Sequence, residues 1–224
     1  DQTYQISKYI RNFKNPQILE VGSGCGTESI WFSLLGGNVI GIDMNQKRLK
    51  VAEEMKNILE KRLNKKINVS FKNIEFFQFC KLNNENKFDI IWMEQAYHHI
   101  EPRNDLLVQV KKLLNPNGLL IISESNANNP FLQMKLFLKR GFKTIIHSKN
   151  GKKQIYGNER ITTKSKLISD LKRNGFEIIE SSLFRIFPNI YILKPLVFLE
   201  KFVSKKLFFF LFIHFNITAR FKNY

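Results

Sequence analysis

Two periodicities alternate along the chain. Apolar or alternating runs at 17–21 (QILEV), 38–43 (NVIGID), 67–73 (INVSFKN), 87–94 (KFDIIWME) and 119–125 (LLIISES) each predict a strand. The continuous apolar centre of 87–94 marks a strand covered on both faces. Between them, 27–36 (TESIWFSLLG), 45–63 (NQKRLKVAEEMKNILEKRL) and 103–118 (RNDLLVQVKKLLNPNG) carry helical spacing, the last closed by Asn-Pro-Asn-Gly. A further helix at 162–175 leads to a sixth strand at 176–184 (FEIIESSLF), and 212–221 (FIHFNITARF) alternates as a closing strand. Strand, helix, strand repeated in this way means right-handed crossovers. The expected fold is therefore α/β: a doubly wound, seven-stranded, mostly parallel sheet with an antiparallel last strand that pairs with strand six. Ligands on such a sheet sit beyond the carboxyl ends of the strands.

The length, 224 residues, suits a single domain over 1–224. Two stretches interrupt the pattern, 126–160 and 188–210, and are expected to be helical insertions on the substrate side, forming a lid. The chain begins close to its first glycine loop, which leaves room for an upstream segment outside this sequence. At 43% hydrophobic and 25% charged the composition is that of a folded protein. Cys25 and Cys80 form no CxxC pair, so zinc and redox motifs are not expected and a reducing cytoplasm fits. The apolar run LFFFLFIHF is too short to span a bilayer, which takes roughly 20 helical residues.

The formal net charge of +17 stands out. It favours polyanions, either nucleic acid or an anionic membrane surface. Abundant Lys, Asn, Ile and Phe also fit compositional drift in an AT-rich genome, and both explanations stand at this level. The basic residues are spread along the chain without an arginine-rich block.

The chemistry concentrates after the first strand, in ILEVGSGCGTESI. Gly22, Gly24 and Gly26 form GxGxG, with Thr27 where the dinucleotide fingerprint GxGxxG needs its third glycine. No Gly-Lys-Ser/Thr follows, so the loop is not a phosphate-binding P-loop. Glu20, two residues before Gly22, would repel a pyrophosphate and suit an ammonium. Asp43 ends the second strand, where a carboxylate accepts hydrogen bonds from ribose hydroxyls. Together they describe a socket for a nucleoside with a cationic, amino-acid-like tail.

ILEVGSGCGTESI, VIGIDMN, KFDIIWMEQAYHHI and LLNPNGLLIISE, in that order, resemble the successive motifs of the class I S-adenosylmethionine-dependent methyltransferases. The likeness is close over 17–125 and looser beyond. It implies the cofactor S-adenosylmethionine, with S-adenosylhomocysteine as product and no metal. It also implies roles. Gly22, Ser23, Gly24 and Gly26 approach the methionine and ribose with bare backbone. Glu20 holds the amino group, Asp43 binds the ribose and Met44 covers the adenine. Asn73, followed by Ile74, stands where the family commonly has an Asp for the adenine amine. Glu94, ending the fourth strand, falls at the methionine end.

Methyl transfer needs a base only when the acceptor carries a proton of high pKa, as an alcohol does. His98 and His99 in MEQAYHHIEPR are the candidates, with Glu94 nearby; the alternative is that one of them packs or caps the next helix. Adjacent histidines are expected to point apart, which argues against a metal site. No Asn/Asp-Pro-Pro-Tyr run follows strand four, which disfavours methylation of exocyclic base amines and glutamine amides. In 126–160 and 188–210 apolar residues alternate with lysines, the pattern of an interfacial helix or of a lid with a solvated rim. The leading expectation is methyl transfer to oxygen of a small-molecule, glycan or lipid acceptor, with peripheral contact to the anionic inner membrane surface. An RNA or protein methyltransferase, with nucleic acid as a partner, and a non-catalytic protein of the same fold are the alternatives.

Overall fold

The computed structural model describes residues 2–83, 87–140, 145–149, 152–156, 161–187, 197, 199–200 and 202–221; at 139, 140, 145–149 and 152–156 it describes the backbone alone. The elements are α1 (Tyr4–Tyr9), β1 (Gln17–Val21), α2 (Thr27–Leu34), β2 (Asn38–Asp43), α3 (Gln46–Leu63), β3 (Val69–Asn73), α4 (Phe76–Leu82), β4 (Phe88–Glu94), α5 (Arg103–Leu113), β5 (Leu114–Ser125), α6 (Pro130–Arg140), β6 (Ile145–Lys149), β7 (Lys152–Tyr156), α7 (Lys164–Arg173), β8 (Phe176–Phe184) and β9 (His214–Phe221). Seven strands form one sheet in the order β3-β2-β1-β4-β5-β9-β8. β9 runs antiparallel to both β5 and β8, as the closing strand was expected to. β6 and β7 form a separate antiparallel pair.

Alternation along β1 and β4 fills both faces of the sheet. Leu19, Val21, Ile91 and Met93 join one buried cluster, and Ile18, Ile90 and Trp92 the other. Full burial of each such side chain contributes roughly 1.5–3 kcal/mol, so the centre of the sheet supplies much of the hydrophobic stabilisation. Strand order reverses between β1 and β4, and the loops that leave their carboxyl ends diverge there.

Local chemistry sets the helix boundaries. Asn45 caps α3 by accepting from the Lys47 and Arg48 N–H groups at 3.1 and 3.2 Å. Thr163 does the same for α7 through Lys166, at 3.1 Å. The helix expected over 103–118 stops at Leu113. Asn117 turns left-handed (φ 65°), and Asn115 donates to Asp89 at 2.8 Å, so Asn-Pro-Asn-Gly shapes the entry to β5 instead of closing α5.

Two short helices go beyond the sequence reading. In α4 (FFQFCKL) apolar residues recur too densely for a polar face to stand out. In α1 the polar Gln5 lies on the buried face, which hides the period. Gln5 Oε1 accepts from Thr218 Oγ1 at 2.8 Å, and its Nε2 donates to Ser182 at 3.3 Å. Lys8 and the Tyr9 hydroxyl both bond Glu180, at 2.7 and 2.9 Å. α1 is thereby fastened across β8 and β9. Residues 126–160 hold α6 and the β6–β7 pair where a helix and a basic loop were expected. Most of the 188–210 stretch as far as residue 201 lies outside the described residues.

Candidate active site

The glycine loop leaves β1 with Gly22, Gly24 and Gly26 at φ +80°, +53° and +76°. Space adds a second demand at two of them. A Cβ on Gly22 would lie 2.8 Å from the Ala96 Cβ, and one on Gly26 2.5 Å from the Phe71 ring. The Gly22 and Ser23 N–H groups donate to the Ile42 carbonyl at 2.8 and 3.0 Å, tying the loop to β2. Asp43 closes the connection: its Oδ2 accepts from Gly24 N–H at 2.9 Å and its Oδ1 from Asn45 N–H at 2.7 Å. Asn73 lies opposite Asp43 in the sheet and donates to its carbonyl at 3.0 Å, as does the Ile74 N–H at 3.2 Å. Met44 beside them is 58% exposed, a large apolar side chain left in solvent. Ser23 is buried, and its hydroxyl has no partner among the described residues.

Acidic groups gather under this loop. Glu20 is buried on β1, and its carboxyl accepts from the Ser29 hydroxyl of α2. Burial pushes its pKa well above the usual carboxylate range, and the charges of Glu28 and Glu94 add to this against the Ser29 bond. Glu94 ends β4 and is pushed up to about 7, first by burial and then by Glu28. Gln2 Nε2 donates to its Oε1. Glu124 on β5 raises Glu94 further, so four carboxylates share one neighbourhood. Such a set favours a cationic ligand. Gln2, Glu28 and Glu124 escaped the sequence reading, because no spacing in the chain links them to Glu20 or Glu94.

After β4 the chain turns at Gln95 (φ 49°) and forms a single 3₁₀ turn over Tyr97–His99. His98 is buried there. Its Nδ1 lies 2.7 Å from Glu124 Oε2, and its N–H donates to Glu124 Oε1 at 3.4 Å. His99 is exposed. The two rings lie against each other with centroids 4.0 Å apart, not pointing apart as an extended chain would place them; the tight turn brings them together. Gln95 reaches the other strands: it accepts from Ser125 at 2.7 Å and meets His214 Nδ1 at 3.5 Å. Burial, with Arg185 second, pushes His214 down to about 4, so it is neutral near pH 7. A shallow cavity of about 290 Å³ lies at the amino ends of β1–β3, lined by Gln17, Asn38 and Val69, at the far edge from this chemistry.

The sequence model of the methyltransferase-domain family matches residues 12–175. The chain belongs to that family. Among curated methyltransferases it is 36% identical over 117 residues to the release factor glutamine methyltransferase of Fusobacterium nucleatum, covering 51% of this chain and 31% of that one. It is 30% identical over 129 residues to the ubiquinone biosynthesis O-methyltransferase of Pasteurella multocida, covering 54% and 51%. The chain thus spans about a third to a half of the length of these relatives. In fold it resembles the magnesium protoporphyrin IX methyltransferase of Synechocystis solved with S-adenosylhomocysteine bound, at TM-score 0.62 and 14% identity over 98% of this chain and 82% of that one. An S-adenosylmethionine-dependent methyltransferase of Archaeoglobus fulgidus gives TM-score 0.63 and 17% identity, with 97% and 92% covered. The family match ends at Gly175, so β8, β9 and the segment between them lie beyond it in this methyltransferase-domain chain.

Proposed function

We propose that this chain is the catalytic part of an S-adenosylmethionine-dependent methyltransferase that acts on a hydroxyl of a small-molecule acceptor. The observation that carries the reading is the continuity of the site: the acidic neighbourhood under the glycine loop runs through Glu94 and Glu124 to His98. Donor and base sites therefore adjoin.

The residues fit the donor. The loop positions at Gly22 and Gly26 admit no side chain, the buried Ser23 hydroxyl awaits a partner, and the carboxylates suit a cation. Each Asp43 oxygen accepts one backbone N–H and keeps a lone pair for a ribose hydroxyl. Asn73 spends an amide N–H on Asp43, which leaves its oxygen for the adenine amine, and Ile74 and Met44 flank the ring. Glu94, the more open of the two central carboxylates, faces the methionine ammonium; Glu20 acts from beneath, through Ser29 and α2. When bound, S-adenosylmethionine supplies a methyl group on a sulfonium and leaves as S-adenosylhomocysteine.

On the acceptor side, Glu124 takes the Nδ1 proton of His98 in a hydrogen bond, which leaves the Nε2 lone pair to accept the hydroxyl proton. Glu124 also stabilises the resulting imidazolium. Holding acceptor and donor in line is worth roughly 7–11 kcal/mol of barrier, and a placed base about 10²–10⁴-fold. His99, its ring tilted against that of His98, shapes the wall of the site.

The ubiquinone O-methyltransferase relative supports a small-molecule acceptor; sugar and lipid hydroxyls fall within the same chemistry. The glutamine methyltransferase relative points elsewhere, but here Gln95-Ala96-Tyr97-His98 follows β4 in place of Asn-Pro-Pro-Tyr. The test begins with calorimetric titration of S-adenosylhomocysteine, followed by mass detection of methylated products from a panel of phenolic, sugar and lipid hydroxyls. Absence of binding sinks the donor assignment. Binding with methylation confined to amides or nucleobases sinks the acceptor assignment.

A further inference from the structure

The positive charge is distributed unevenly. Residues 126–224 hold 19 of the 36 Lys and Arg but only 5 of the 19 Asp and Glu, so they carry +14 of the +17. Two parts of this stretch share a surface. Asn129 Nδ2 donates to the Leu211 carbonyl at 2.7 Å, and Asn126 Nδ2 to those of Phe209 and Phe212 at 3.0 and 2.9 Å. These bonds fasten the turn before β9 beside the start of α6.

Both parts leave large apolar side chains in solvent. On α6, Phe131, Met134 and Leu138 follow i, i+3, i+7 spacing on one face and are 67%, 56% and 76% exposed. In the turn, Leu207, Phe208 and Phe209 are 69%, 44% and 45% exposed. The Phe208 N–H bonds the Ser204 carbonyl at 2.9 Å, so this is a formed turn presenting its apolar residues outward. An exposed apolar surface drawn from two elements marks an interaction site. Its rim is basic: Lys135, Lys205 and Lys206 are exposed beside it. Glu200, the acidic residue nearest in sequence, has its carboxylate engaged by the Ile186 and Phe187 N–H groups at 2.8 Å each.

We infer that this face docks on an anionic lipid bilayer, with α6 and the 204–211 turn at the boundary of headgroups and acyl chains and the lysines on lipid phosphates. Exposed apolar side chains flanked by lysines are what an interfacial element needs. Single-stranded nucleic acid fits less well, because it is gripped by aromatic platforms, and Met134, Leu138 and Leu207 cannot stack on bases. The position matters as much as the composition. Asn126 directly follows β5, and Ser125 bonds Gln95 next to Glu94, so the docking face adjoins the candidate active site. Docking would turn the site toward the membrane and favour an amphiphilic acceptor lying in it. Only that last step rests on the proposed methyl transfer; the docking stands without it.

The test uses the full chain in co-sedimentation with phosphatidylcholine vesicles that contain phosphatidylglycerol and with pure phosphatidylcholine vesicles, donor omitted. The chain is expected to pellet with the anionic vesicles at low salt and far less with the neutral ones. Lys205→Glu with Lys206→Glu should weaken this by about 30-fold or more, given about 1 kcal/mol per basic residue at the surface. Leu207→Ser with Phe208→Ser should still pellet at low salt but come off in high salt, because the charges alone then hold it. Failure of the unmodified chain to bind anionic vesicles overturns the inference. So does a serine variant with unchanged salt resistance, or binding to single-stranded RNA that displaces the vesicles. Each variant is also titrated with S-adenosylhomocysteine. Lost vesicle binding with intact donor binding bears on the docking face alone, and the reverse result bears on the methyltransferase reading alone.

Discussion

In the proposed donor site, Asp43 and Glu94 would divide the work of holding a ligand whose ends differ in charge. Asp43 organises the loop through Gly24 before any ribose arrives, so Asp43→Ala removes a loop anchor as well as a ligand contact. S-adenosylhomocysteine affinity should fall at least tenfold, about 1.4 kcal/mol or more, since a hydrogen bond to a charged group contributes about 1.5–3 kcal/mol. Unchanged calorimetric affinity would refute the ribose role. Glu94 predicts a pH effect. Its pKa stands near 7 in the ligand-free fold, and a bound ammonium favours the ionised form. Donor affinity should therefore rise with pH up to about 7 and level off above it, with a slope of up to about tenfold per pH unit below that point. Glu94→Gln should flatten the profile. The sign for stability is opposite. A carboxyl whose pKa is raised by folding stabilises the fold at low pH, and that contribution is lost as pH rises from the ordinary value near 4.5 through 7. Glu94→Gln should accordingly raise the melting temperature of the ligand-free protein at pH 8 and leave it nearly unchanged at pH 4.5.

The proposed base depends on two elements meeting, the 3₁₀ turn that carries His98 and the strand β5 that carries Glu124. His98→Ala should lower turnover by about 10²–10⁴-fold with donor affinity intact. Glu124→Gln retains the shape but weakens the hold on Nδ1, and should lower turnover with donor affinity intact, because the imidazole is then oriented less well and its protonated form loses the carboxylate beside it. A rate that is unchanged in both variants would reduce the pair to packing. The pair also shows how far the sequence was legible. The glycine loop, Asp43 and Asn73 were readable because each follows a strand in a fixed order, and parallel register carries that order into space. The strand periods gave the seven-stranded sheet, and β9 was placed at its antiparallel position. Glu124 was invisible, since in LLIISES it is one more residue of a strand and only the pairing of β4 with β5 brings it to His98. Glu28 was hidden in the same way on α2. Contacts between elements that lack a local motif leave no spacing to read.

At the scale of the whole molecule, α1 links the far edge of the sheet to the site. Gln5 is fully buried between Ser182 and Thr218, so Gln5→Ala leaves both hydroxyls without it and should cost about 1–3 kcal/mol of stability, read as a lower melting temperature. Just before α1, Gln2 donates to Glu94 from one end while its carbonyl accepts from Asn216 of β9 at 2.9 Å. The Gln2 bond favours the ionised carboxylate and opposes the effects of burial and Glu28. Gln2→Ala should thus move the Glu94 pKa further up, and the pH at which donor affinity levels off should rise with it. Calorimetry of S-adenosylhomocysteine between pH 6 and pH 9 reads that midpoint directly, with Gln5→Ala as the control that loosens α1 without touching the carboxylate. A midpoint that moves in Gln2→Ala and stays in Gln5→Ala makes the amino-terminal segment part of the donor site. Equal shifts in both would mean that α1 acts only as a brace for the sheet.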